Sequence, residues 1–151
     1  MKRRAGTLLL QTLTVLFLLT VLAAAMFQRY GIYGRRVTQV LDRYSARAAA
    51  DSGIADALYG LQQDPDWTDG CNDLPLSTGA RYRVSFAPDR PDVPPSTNNA
   101  SGTEAVEGEG GRIVPAGFVH VISVGTCADV SVRREALFDL GSGAPRVKEH
   151  W

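Results

Sequence analysis

The chain is poor in the residues from which most reactive sites are built. Among its 151 residues are two cysteines, Cys71 and Cys127, in no CxxC spacing and with no histidine beside them. That pattern excludes the usual zinc ligand sets. Its two histidines stand apart from any recognisable nucleophile motif. His120 lies between Val119 and Val121, where a strand histidine is ordinarily a packed residue, and His150 is next to the C-terminus. No catalytic residue is assigned, and the sequence reads as non-enzymatic. Net charge is lacking too, with 16 basic against 16 acidic residues. With Lys2, Arg3 and Arg4 set aside, 13 basic residues face 16 acidic ones. Such a mildly acidic exterior does not offer the basic face that phosphate binding needs, so nucleic acid is not expected as the main partner.

The longest absence is of charge. From Thr7 to Met26, TLLLQTLTVLFLLTVLAAAM, no residue is ionisable. As a helix, 20 residues span roughly 30 Å, about one hydrocarbon thickness. Thr7, Thr12, Thr14 and Thr20 can return their hydroxyls to the preceding turn, whereas the Gln11 amide wants a partner. The Lys2-Arg3-Arg4 cluster predicts a cytoplasmic N-terminus with the remainder outside. Three readings follow: a cleaved secretory signal with Ala23-Ala24-Ala25 as its processing site, a plain anchor, or a prepilin leader in which only the basic peptide ending at Gly6 is removed. In an oxidising compartment beyond the membrane, Cys71 and Cys127 read as one disulfide. Closing that loop would stabilise a small outer domain by roughly 4 kcal/mol.

After the apolar run come Gly31 and Gly34, a predicted bend or soft joint, with Tyr30 and Tyr33 at headgroup depth. Helical signals continue from Arg35 to about Gln63. Val37, Leu41, Tyr44 and Ala48 form one stripe; Ala50, Ile54, Ala57 and Leu61, with Leu58 beside them, form a second on a rotated face. Two offset stripes predict a lower part that packs on other helices and an upper part that carries a small domain. Asp64-Pro65 ends the helix. A turn-rich loop follows, and then RYRVSFAP alternates as a half-buried strand with Tyr82, Val84 and Phe86 on one side. Residues 88–111 read as either mobile or a surface excursion. GFVHVISVG and VSVRREALFDL read as a hairpin joined at Thr126–Asp129, with Val130, Val132, Ala136, Phe138 and Leu140 on one face. The tail after Leu140 reads as loose. The fold class expected is α+β: a long N-terminal helix, membrane-spanning in its lower half, packed on a small antiparallel meander. The expected divisions are 1–6, 7–30, 31–63 and 64–151.

Cofactors are not expected. Asp64, Asp66, Asp69 and Asp73 invite a calcium reading, but their spacing misses the EF-hand pattern, and a solvated loop is the default. Glu104, Glu107 and Glu109 sit among glycines, where ordering a metal site costs entropy. Trp67 is either a lid on the core or an exposed contact. The sequon Asn99-Ala100-Ser101 carries little weight.

Four stretches together resemble the minor pilins and pseudopilins of the type IV pilin superfamily. KRRAG before TLLLQTLTVLFLL is similar to a prepilin processing site, with Gly6 before the cut and Thr7 after it. ARAAADSGIADALYGLQQDP, RYRVSF and VHVISVGTCADVSVRREALF resemble, in order, the family's Ala-rich helix, its first strand and its final hairpin. Calcium occurs in the outer domain of some pseudopilins. The resemblance implies a bacterial inner-membrane, single-pass subunit of a pilus, secretion or DNA-uptake filament. Its implied partners are a prepilin peptidase and other pilins met through the N-terminal helix. Two positions depart from the family pattern: Thr7 stands where an aromatic residue is usual, and Gln11 where a glutamate is. A carboxylate at that depth serves as a register device for docking, because it is costly unless matched. The glutamine keeps hydrogen bonding without the charge, which implies a minor or tip role rather than a major shaft subunit. The rival reading is a secreted binding domain released after Ala25.

Overall fold

The structure, a computed structural model, describes residues 2–88, 93–141 and 146–150; for residues 2–9, 146 and 148–150 it describes the backbone alone. The expected α+β layout is present. Helix α1 (Lys2–Gln63) takes up the apolar run and the alanine-rich stretch after it. Helical structure runs through Gly31 and Gly34, so these glycines do not end the helix. A single glycine costs a helix only about 1 kcal/mol, which its neighbours offset. The chain divides into two compact units, Met1–Val40 and Leu41–Trp151. The second therefore takes in the helix residues from Leu41 onward.

In the first unit every described side chain from Leu10 to Val40 is exposed. In the second, the stripe Ala50, Ile54, Ala57 and Leu61 is buried as its spacing predicts, joined by Ala46 and Ala49. These residues pack on a six-stranded antiparallel sheet. Its strands are β1 (Cys71–Pro75), β2 (Arg81–Val84), β3 (Thr97–Asn99), β6 (Phe118–Cys127), β7 (Val130–Asp139) and β8 (Arg146–His150). The order is β1-β2-β6-β7-β8, with β3 also paired to β6. A separate ribbon joins β4 (Val106–Glu107) to β5 (Ile113–Val114), with a short 3-10 turn at Glu109–Gly111 between them.

β2 and β3 share one edge of β6. Arg81–Val84 pairs with Thr126–Ser123, and Thr97–Asn99 continues against His120–Phe118. The chain leaves this ladder after Ser85 and rejoins it at Ser96, whose N–H donates to Ser85 O at 2.7 Å. The Ser96 hydroxyl accepts from Ile122 N at 2.9 Å, serving a backbone donor that the interrupted strand would otherwise leave buried without a partner.

Three expectations are corrected. The post-helix loop contains β1. Residues 88–111, expected to be mobile or a surface excursion without strands, contain β3, β4 and the 3-10 turn, while 89–92 lie outside the described residues. Within the tail, expected to be loose, Arg146–His150 forms β8 as an edge strand on β7, while 142–145 and 151 lie outside the described residues. All three segments lack a clean apolar alternation, so their ladder pairing leaves little signal in the sequence, and around β3 side-chain amides add to it. Asn98 illustrates this, its Nδ2 donating to Pro65 O (3.0 Å) and Trp67 O (3.1 Å).

The core follows the helix-facing side of the sheet: Ile54, Ala57 and Leu61 meet Val84, Val119, Val121, Ala136 and Phe138. Trp67 is a lid. It packs at the margin of this core, edge-on to Phe86 with ring centroids 5.5 Å apart, above Gly60.

Candidate functional site

The apolar segment of α1 is the feature with the clearest physical consequence. Its most apolar 18-residue window has a mean hydropathy of 2.1 and no buried residue, so by length and composition this helix could cross a membrane. Two of the threonines return their hydroxyls to the preceding turn: Thr14 Oγ1 donates to Leu10 O at 2.7 Å and Thr20 Oγ1 donates to Leu16 O. Gln11 is exposed, beside Thr12, Val15, Leu16 and Leu19 along a shallow groove. Gly6 and Thr7 belong to the opening turns of α1, and their side chains lie outside the described residues.

Where helix and sheet meet in the second unit, small residues set the distance. A Cβ on Gly125 would come 2.0 Å from Ala46 O and 2.4 Å from Ala50 N; one on Gly53 would come 2.2 Å from Ser123 Oγ. Strand β6 and the helix backbone are thus nearly in contact. Around this seam, Asp51 accepts from Arg134 Nε at 2.9 Å and Asp56 accepts from the Tyr82 hydroxyl. Burial and the Asp56 carboxylate push the Tyr82 phenol well above its ordinary pKa, which keeps it protonated as the donor.

Cys71 and Cys127 are free thiols, so the expected disulfide is corrected. Both pack at the margin of the Ala49–Ala80–Tyr82 cluster, but at opposite ends of it. Cys71 pairs with Val84, whereas Cys127 follows Thr126, the partner of Arg81. Two strand spacings and about four residues of register put them on the order of 15 Å apart, far beyond the roughly 7 Å a disulfide can bridge. Burial, with Asp56 nearby, raises the Cys71 pKa. Cys127 Sγ instead approaches Asp42 Oδ1, at 3.8 Å.

The acidic loop serves its own folding. Asp64 Oδ1 accepts from Asp66 N at 3.0 Å. Asp73 lies between Arg81 (2.7 Å) and Arg83 (3.2 Å), which hold its carboxyl below the usual range. Among the described residues no three acidic, histidine or cysteine side chains are grouped for a metal. Asn99 is buried, and its amide donates to Glu104 O at 2.8 Å and Val114 O at 3.0 Å, so the sequon nitrogen is occupied by folding.

The other face of the sheet holds a cluster that the sequence did not reveal. His120, fully buried, places Nε2 3.1 Å from Glu135 Oε2. Arg133 and Arg112 reach the same carboxylate at 2.8 and 3.6 Å. Together with Glu109, Gly110 and Gly111 the two arginines and Glu135 line a shallow recess of about 340 Å³. His120 Nδ1 has no partner among the described residues. Alternation along β7 separates Arg133 and Glu135 from the core side, but only the β6–β7 register, which pairs Glu135 with Ile122 and His120 with Leu137, sets Glu135 diagonal to His120.

No family model, no curated protein and no solved structure matches this chain.

Proposed function

We propose that this chain is a structural, non-enzymatic subunit of the minor pilin or pseudopilin kind, anchored in a bacterial inner membrane by α1 with its N-terminus cytoplasmic. One observation carries the reading: a single helix presents only exposed, largely apolar side chains from Leu10 to Val40 and buries a stripe of small residues on an antiparallel sheet from Ala46 to Leu61. The first stretch suits lipid and neighbouring helices; the second carries an outer domain.

Gln11 supports a minor role. An amide hydrogen bond between helices in a membrane is worth only about 1 kcal/mol, too little to drive homopolymer assembly. The subunit therefore joins companions that carry the glutamate. A second reading, release of a secreted domain after Ala25, draws on the compactness of Leu41–Trp151 as a unit. Co-expression with a prepilin peptidase separates the two. Membrane-associated protein should begin at Thr7 and form no filaments alone by electron microscopy. A start at Met26 would instead support release, and abundant filaments of the single protein would overturn the role given to Gln11.

A further inference from the structure

We propose that Phe27–Arg36 is a collar for the phosphates of anionic lipid headgroups at the outer end of the apolar helix, an inference that rests on the membrane-anchored reading above. The first acidic residue of the chain is Asp42, so the cations ahead of it have no carboxylate on the same stretch to neutralise them. Arg29, Arg35 and Arg36 are all exposed, as are Tyr30 and Tyr33, at 74% and 65%.

Their depth fits. At 1.5 Å per residue, Arg29 lies about 5 Å past Met26 and Arg35 and Arg36 about 14 Å past it. The headgroup layer is roughly 6 Å deep on each side, and long arginine stems lie back along an apolar helix to reach it. Tyr30 and Tyr33 are the ring-and-hydroxyl residues that favour this layer.

Their arrangement fits as well. Arg29 and Arg36 are two turns apart on one face, while Arg35 shares a row with Phe27 and Gly31. A Cβ on Gly31 would meet nothing within 4 Å. The groove of about 340 Å³ above it has Phe27 and Ile32 as apolar walls and Gln28 and Arg35 as polar ends. A guanidinium can fork two hydrogen bonds onto a phosphate, and the apolar walls suit the first methylenes of the acyl chains. Processing after Gly6 would remove Lys2, Arg3 and Arg4, leaving these three arginines as the cationic grip of the helix up to Val40.

The test uses the full chain in nanodiscs of equal phosphatidylglycerol and phosphatidylcholine, with retained lipids counted by native mass spectrometry. At roughly fivefold per arginine near an anionic surface, the native chain should hold phosphatidylglycerol at least tenfold over phosphatidylcholine. Arg29→Gln, Arg35→Gln and Arg36→Gln combined should lower this preference at least about fivefold, leaving only what Lys2, Arg3 and Arg4 supply. Equal retention of both lipids by the native chain overturns the proposal. So does a preference that survives the triple variant undiminished and disappears when Lys2, Arg3 and Arg4 become glutamine. A photoreactive residue at position 28 should give adducts of lipid mass in native membranes; adducts to another protein would make the collar a helix-docking surface instead. Alkaline carbonate extraction keeps the two ideas apart. Release of the native chain overturns anchoring and collar together, whereas firm retention with no lipid preference overturns the collar alone.

Discussion

His120 is the least comfortable residue in the sheet. Burial pushes its pKa below 6.5, against the pull of Glu135, and Arg112 and Arg133 add to the depression. Folded, it stays neutral at a pH where the unfolded chain would already take up the proton. The stability tied to that difference is fully present above about pH 6.5 and is lost as the pH falls from there toward the depressed folded value, by at most ~1.4 kcal/mol per unit. Urea titrations between pH 7.5 and 5 should show this decline, and His120→Leu should flatten it. Gly125 makes a second test at this scale. Its missing side chain lets the helix backbone approach, so Gly125→Ala should cost about 3 kcal/mol, read from the urea midpoint. The sequence marked Gly125 only as a strand end, because close approach between segments 75 residues apart leaves no local pattern.

At the scale of elements, the β6–β7 hairpin was the most legible part. Val130, Val132, Ala136 and Phe138 do share the helix-facing side, and Cys127 pairs with Val130 across a two-residue turn. Yet that turn holds Ala128 at φ 49°, a left-handed conformation that glycine adopts without a Cβ penalty. Ala128→Gly should therefore stabilise the protein by about 0.5–1 kcal/mol, seen as a raised melting temperature. The alanine-rich stripe was legible for the same reason as the hairpin: burial on one face leaves a period. β1, β3 and β8 were not legible. β1 and β3 have the composition of turns, and β8 is a short charged run with a single apolar residue. The disulfide expectation failed for a related reason. Counting cysteines shows that two thiols exist, but only strand register shows that they lie at opposite ends of a cluster.

For the whole molecule, the division at Val40 and Leu41 makes a concrete expectation. Residues 41–151 expressed alone should fold to a monomer with a single cooperative melt, since the buried helix stripe and the whole sheet lie within that stretch. A broad, probe-dependent melt would show that the sheet needs the preceding helix. The candidate site was legible only where it is chemical composition itself: the uncharged run was visible at sight, whereas the His120 cluster needed the fold.

The interrupted strand also has a practical side. Because Ser85 and Ser96 are tied to each other at the neck, the sheet reads the same two ends whatever length of chain connects them. Doubling such a connection costs only about 0.6 kcal/mol in closure entropy. An epitope or fluorogenic tag spliced in directly after the exposed Pro88 should leave the melting temperature within a few degrees of the parent. The second unit thus carries its own port for a reporter, set in the neck of its sheet, through which its folding can be watched in living cells.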